Sequence, residues 1–263
     1  MFGFFKRRRR NRLLAARFPA EWSSFIEKNV RYYTRLPEAD RRELQGLIQI
    51  LLAEKTLEGC GGLVLTDEIK VTIAAQACLL LLHRATDIYP KLTTILVYPS
   101  AYVAKAIKPL RNGLALEGEH VNLGESWMTG IVVLSWDDVR AGASDFGDGR
   151  NLVLHEFAHQ LDREDGAFDG TPPLEERSHY TAWARVLSAE YEQLKRDTWL
   201  GRPTVLDEYG TIDPAEFFAV ATECFFEKPR ALEKRHPRLY AELRSFYRQD
   251  PASLMPPSQR TLS

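Results

Sequence analysis

Five consecutive residues, His155-Glu156-Phe157-Ala158-His159, set two imidazoles four positions apart with a carboxylate beside the first. On a helix, residues i and i+4 lie one above the other on the same face, so both rings point into one space and can bind one metal ion. Glu156 leaves the helix on a neighbouring bearing, within reach of a water at the metal but not itself a ligand. This is the H-E-x-x-H arrangement of zinc peptidases, in which the glutamate works as general base. The flanking residues agree with a helix: Leu154, Phe157, Ala158 and Leu161 form a core stripe, leaving Leu152, His155, His159 and Asp162 toward the metal. The plainer alternative is a pair of partly buried histidines next to a carboxylate.

Two histidines do not make a catalytic zinc site, which normally has three protein ligands and an open fourth position. The pool for the third is Asp162, His179, Asp213, Glu216, Glu223 and His236. Glu216 is the strongest of these. It falls in the first turn of a helix that is apolar on most faces, and an acid so embedded calls for a charged partner. Glu223, on the same face seven residues later, could ligate instead or orient a metal-bound histidine from behind. Asp213 is a third option, although an N-cap explains it better. Asp162, one turn beyond His159, suits a supporting position.

These residues need a scaffold, and the sequence outlines an α+β one that is mostly helical. The stretch 37–55 reads as an amphipathic helix with Leu44, Leu47, Ile48, Leu51 and Leu52 in one stripe. Residues 70–84 read as a second, more buried helix. Two β-branched runs, 93–98 and 130–136, read as strands, with 117–122 as a third that pairs with one of them in a small central mixed sheet. The edge of the 130–136 strand could take a substrate backbone by strand addition, or be plain core. The Gly- and Asp-rich 142–149 stretch is a loop that feeds the metal helix from about Asn151. Helices follow at 180–195, at 214–227 behind an Asp213-Pro214 start, and at 232–247. Residues 1–19 are expected to be a disordered basic segment, 20–250 a single zincin-like peptidase domain, and 251–263 a disordered tail.

Composition narrows the class. With 44% apolar and 27% charged residues and a net charge of −1, the chain is an ordinary globular protein and no dedicated nucleic-acid binder. Cys60, Cys78 and Cys224 form no CxxC pair, which speaks for a reducing compartment, the cytoplasm. The most apolar run, 71–82, is too short to span a bilayer. Lys6 through Arg10, with Arg12 and Arg17, make the N-terminus strongly basic. That is either a weak anchor for acidic lipid or nucleic acid, or a frayed solvated end.

Read together, these segments resemble the Mlc titration factor A peptidases of bacteria. The resemblance rests on the stretch from Asn151 through His155, Glu156 and His159 to Asp162, on Asp213-Pro-Ala-Glu216-Phe-Phe-Ala-Val220, and on Phe246-Tyr-Arg-Gln-Asp-Pro251. Val97-Tyr-Pro99 and Val133-Leu-Ser-Trp-Asp137 match more weakly. It spans about residues 20–251 but not the Arg-rich N-terminus or the 197–206 loop with Trp199 and Gly201. It implies zinc on His155, His159 and Glu216, one ion per chain, with Glu156 activating a zinc-bound water for aminopeptidase-like cleavage. The family is similar in metal-site layout to the catalytic domain of anthrax lethal factor. There a tyrosine seven residues before the third ligand assists catalysis, which implies that role for Tyr209. The expected partners are a peptide or protein substrate and the repressor Mlc. A non-catalytic protein that sequesters a transcription factor is the rival expectation.

Overall fold

The computed structural model describes residues 2–84, 87–101, 130–145 and 147–255. Helices dominate. The N-terminal layer comprises α1 (Phe2–Ala15), α2 (Ala20–Asn29), a 3-10 turn (Arg31–Arg35), α3 (Glu38–Glu54) and α4 (Asp67–Leu79). Leu44, Ile48 and Leu51 line the buried stripe of α3, which packs on α4. Thr66 caps α4, its hydroxyl accepting from the Ile69 N–H, and every residue from Val71 to Leu79 is buried.

Three short strands, the first between α3 and α4, form the sheet: β1 (Thr56–Gly59), β2 (Thr94–Tyr98) and β3 (Ile131–Ser135), in spatial order β1-β2-β3. Both pairings are parallel, with Thr56 opposite Thr94 and Thr94 opposite Ile131. The sheet among the described residues is therefore parallel, not the mixed one expected. The reason is the connection: β1 reaches β2 through α4, a crossover that returns the chain in the same direction, whereas a hairpin would reverse it. The strand expected at 117–122 lies outside the described residues. β1 itself was not foreseen; with Thr, Leu, Glu and Gly it has little strand character, and it forms by pairing with β2. Ile95 and Val97 of β2 and Val132 and Leu134 of β3 point into the core.

Ser135 ends β3 and caps α5 (Trp136–Ser144), its hydroxyl accepting from the Asp138 N–H at 3.2 Å. Then come α6 (Leu152–Asp162), the long α7 (His179–Trp199), a 3-10 turn (Glu208–Thr211) and α8 (Pro214–Glu227). The chain ends in α9 (Pro229–Arg235), α10 (Pro237–Tyr247) and α11 (Pro251–Leu254). The single helix expected over 232–247 is broken at His236-Pro237, because proline removes an N–H and disfavours helical backbone in the residue before it.

Two ends expected as disordered carry structure. Residues 2–15 are helical, and the tail begins with the helical turn α11. The first is held by charge: the Arg10 guanidinium grips Glu54 at 2.6 and 2.7 Å and also reaches Asp87. No helix among the described residues is long and apolar enough to cross a membrane.

Candidate metal centre

Asn151 starts the helix that matters most. Its side-chain oxygen accepts from the Leu154 N–H at 3.1 Å, a standard N-cap, and α6 then runs through both histidines. From Val153 to Asp162 every residue is buried, because α6 is packed by α4, α5, α8 and β3. The expected apolar stripe is there, but the opposite face is also covered, and α8 covers it.

α8 is set by a second cap. The Asp213 carboxylate accepts from the Glu216 N–H at 2.9 Å and Pro214 occupies the first turn. Asp213 thus serves as the cap, and Glu216 is the acid that meets the histidines. Its Oε2 lies 3.0 Å from His155 Nε2 and 3.4 Å from His159 Nε2, and the two Nε2 atoms are 3.2 Å apart. His155, His159 and Glu216 form a buried group able to hold a metal ion. Ligands bound at about 2.0–2.1 Å in a tetrahedron stand about 3.3 Å from one another. The three measured separations bracket that edge, so the residues present fit a metal ion.

Behind the histidines, His155 Nδ1 meets Glu223 Oε1 at 2.7 Å. Glu223 Oε2 accepts from the Asn151 N–H at 2.5 Å, and the Asn151 amide donates to Gln76 Oε1 at 2.9 Å and Glu227 Oε1 at 3.1 Å. Glu223 thus meets the nitrogen of His155 that faces away from Glu216 and His159, and Asn151 links it to α4 and α6. Asp162 does not support His159; it holds the loop that follows α6. Its Oδ2 accepts from the Gly170 N–H at 3.0 Å, while the next N–H, of Thr171, goes to Asp169. Of the other candidates, His179 pairs with Glu176 and His236 with Glu190.

Electrostatics follow this packing. Burial alone would lower the His155 pKa, but hydrogen bonds to Glu216 and Glu223 outweigh it and push it up to about 10. His159 has less compensation, and burial takes it down to about 4. Burial would raise Glu216, yet its bonds to His155 and His159 bring it down to about 2. Asp162 is pushed up to about 7 and Glu227 to about 8, in both cases by burial that their hydrogen bonds only partly offset.

Two aromatics border the group. The Tyr209 ring lies 5.9 Å from that of His155, centroid to centroid, and is 40% exposed, so it faces both the group and solvent. Its 3-10 turn is capped by Asp207, which accepts from the Tyr209 N–H at 2.9 Å and pairs with Arg150 at 2.7 Å. Burial, then the charges of Glu216 and Glu156, push the Tyr209 hydroxyl up to about 12. The Glu156 charge thus acts on Tyr209, and it acts on His155 too. The Phe168 ring is tilted against that of His159, centroids 5.1 Å apart, and the Arg163 guanidinium lies over the Phe168 ring, 4.2 Å from its centroid. Sequence reasoning did not find Phe168, since a lone aromatic in a loop carries no periodic signal. The network role of Asn151 was readable only as a helix start. A cavity of about 560 Å³, lined by Arg84, His179, Trp183, Phe246 and Arg248 among others, lies apart from the His155, His159 and Glu216 group.

Residues 4–248 match the glucose-regulated metallo-peptidase M90 family. The chain belongs to that family. It is similar to an uncharacterized protein of Synechocystis sp. (40% identical, covering 92% of this chain and 89% of the relative). It is also similar to the Mlc titration factor A proteins of Serratia proteamaculans (37% identical; 82% and 84% covered) and Yersinia enterocolitica (33% identical; 88% and 86% covered). A metallopeptidase family implies a metal ion, and the His155–His159–Glu216 group is where the described residues could bind it.

Proposed function

We propose that this protein is a zinc-dependent metallopeptidase that hydrolyses peptide bonds, with His155, His159 and Glu216 as ligands and Glu156 as general base. The observation that carries this reading is the convergence of two histidines and a glutamate at 3.0–3.4 Å, with Glu156 on the same helix. Two nitrogens and one carboxylate oxygen in that spacing suit a tetrahedral zinc with one open position. Zinc bound there supplies Lewis acidity toward water and a peptide carbonyl at neutral pH.

The chain's own groups do the rest. Glu156 takes a proton from the attacking water and passes it to the departing amine. The Tyr209 hydroxyl, protonated up to about pH 12, donates to the carbonyl oxygen as negative charge develops on it. Glu223 accepts from His155 Nδ1–H and so presents the Nε2 lone pair to the metal. Phe168 and the surrounding helices exclude water from the back of the site. The aminopeptidase preference is carried from the family resemblance, and three free cysteines suit action in the cytoplasm.

A second activity has its own support. Relatives that share 32–37% of their residues with this chain are named Mlc titration factor A, and titration means binding. We include capture of such a repressor as a function that could coexist with hydrolysis. Glu156→Gln separates the two. The purified variant should keep one zinc per chain by elemental analysis and lose hydrolysis of aminoacyl-p-nitroanilides by at least about 100-fold. Wild-type protein that cannot be loaded with zinc, or whose zinc survives His155→Ala undiminished, would overturn the enzyme reading. Repressor binding retained in Glu156→Gln would mark it as independent of catalysis.

A further inference from the structure

The chain's charge is divided in a way its net value conceals. Seven of its 35 lysines and arginines lie in the first 17 residues, where there is no acid; the rest of the chain has 28 against 36 acids. A basic segment therefore leads a body with a net charge of −8. This segment is not loose. Lys6 pairs with Asp87 at 2.6 Å, Arg10 clamps Glu54 and Asp87, Arg9 donates to the Ala53 carbonyl at 2.6 Å, and Leu13 packs against the core.

Residues 6, 10 and 13 share one face of a helix, and that face is the docked one. The helical bearing turns Phe4, Arg8 and Arg12 away from it, with Phe5 and Arg7 on its two flanks. All five are exposed, Phe4 at 69% and Phe5 at 60%. Two bare phenylalanines at the leading turn of a cationic helix are costly in water. They suit a surface that offers anionic oxygens to the arginines and an apolar boundary to the rings. α1 has no continuous apolar face, so it would not lie buried in a bilayer as an amphipathic helix does.

We propose that the outer face of α1 is a docking surface for an anionic phospholipid membrane, with Arg7, Arg8 and Arg12 on the headgroups and Phe4 and Phe5 inserted at the interface. Each basic side chain near such a surface contributes about 1 kcal/mol, or about fivefold in partitioning. Two kinds of signal together give stable attachment where one alone is marginal. The acidic body is repelled by the same surface, so the molecule is held by α1 with the metal-bearing body oriented away from the lipid. Nucleic acid would satisfy the arginines, but it gives the adjacent phenylalanines of a fully docked helix no apolar layer.

The test is co-sedimentation of the full-length protein with vesicles of phosphatidylcholine containing about a third phosphatidylglycerol, against vesicles of phosphatidylcholine alone. Binding is expected only to the anionic vesicles and is expected to weaken in high salt. The triple change Arg7→Gln, Arg8→Gln, Arg12→Gln should reduce partitioning about 100-fold. Phe4→Ser with Phe5→Ser should reduce it several-fold with charge unchanged. Circular dichroism and zinc content of both variants should match wild type, since none of these residues touches the core or the metal group. Equal binding to neutral and anionic vesicles overturns the proposal. So does binding that depends on the arginines alone and is displaced by duplex DNA, which would make α1 a nucleic-acid contact.

Discussion

Glutamine at position 223 removes one charge from behind His155 while keeping the size of the side chain. Glu223 now accepts two hydrogen bonds, from His155 Nδ1 at 2.7 Å and from the Asn151 N–H at 2.5 Å. An amide has one acceptor oxygen and one donor nitrogen, so it can serve only one of them. If the oxygen stays with Asn151, the NH₂ faces His155 Nδ1 and moves the ring proton to Nε2, the atom that must bind metal. If it turns to His155, two donors oppose each other at the start of α6. The first outcome should cost about 10–100-fold in zinc affinity, the usual range for loss of such a partner, or about 1.4–2.7 kcal/mol. The second should cost about 1–3 kcal/mol in folding stability, because the stranded N–H is buried. Competition with a chromophoric chelator reads the affinity, and urea unfolding in excess chelator reads the stability. A Glu223→Gln protein within twofold of wild-type zinc affinity, and equally stable, would refute the orienting role assigned to Glu223.

Further outcomes follow from the same geometry. With metal stripped by chelator, His155 is raised to about 10 from an ordinary 6.5, so its pairing stabilises fully below about pH 6.5 and that contribution is lost as pH rises through about 10. Zinc must displace the same proton, so the gain in melting temperature on adding zinc should grow between about pH 7 and 9, with roughly one proton released per ion in calorimetry; a gain that shrinks with pH contradicts the assignment. Tyr209→Phe should leave zinc content unchanged and lower kcat by about 100- to 1000-fold, the range for removing one donor to a developing oxyanion, with little change in KM. Gly170→Ala should destabilise the fold by roughly 2 kcal/mol or more in denaturant unfolding: Gly170 has φ of +77°, and a Cβ there would stand 2.3 Å from the Pro214 carbonyl oxygen, at the entry to α8.

Legibility differed between local and distant features for a physical reason. The α6 face that gathers His155 and His159 was readable because the two are four residues apart, where helix geometry alone brings side chains together. The α8 start was readable because Asp213-Pro214 is a cap written in adjacent residues, and the same reading predicted that Asp213 would be spent on the backbone. The break at His236-Pro237 is equally local, but the apolar spacing continues across it and masks it. β1 was not readable: its strand state comes from β2, far along the chain. Nor was the parallel sense of the sheet, which depends on how α4 carries the chain across.

His155, Glu156 and His159, and the capped helix that brings Glu216, are properties of this sequence by itself, since short-range backbone periodicity dictates them. Which acid meets the histidines was decided only when α8 packed on α6, setting Glu216 at 3.0 Å from His155 Nε2 and Glu223 on the other nitrogen of the same ring. Seven residues are close to two helical turns, so both acids share a face and spacing cannot choose between them. Tertiary packing does choose, by fixing where along α6 each turn of α8 lies.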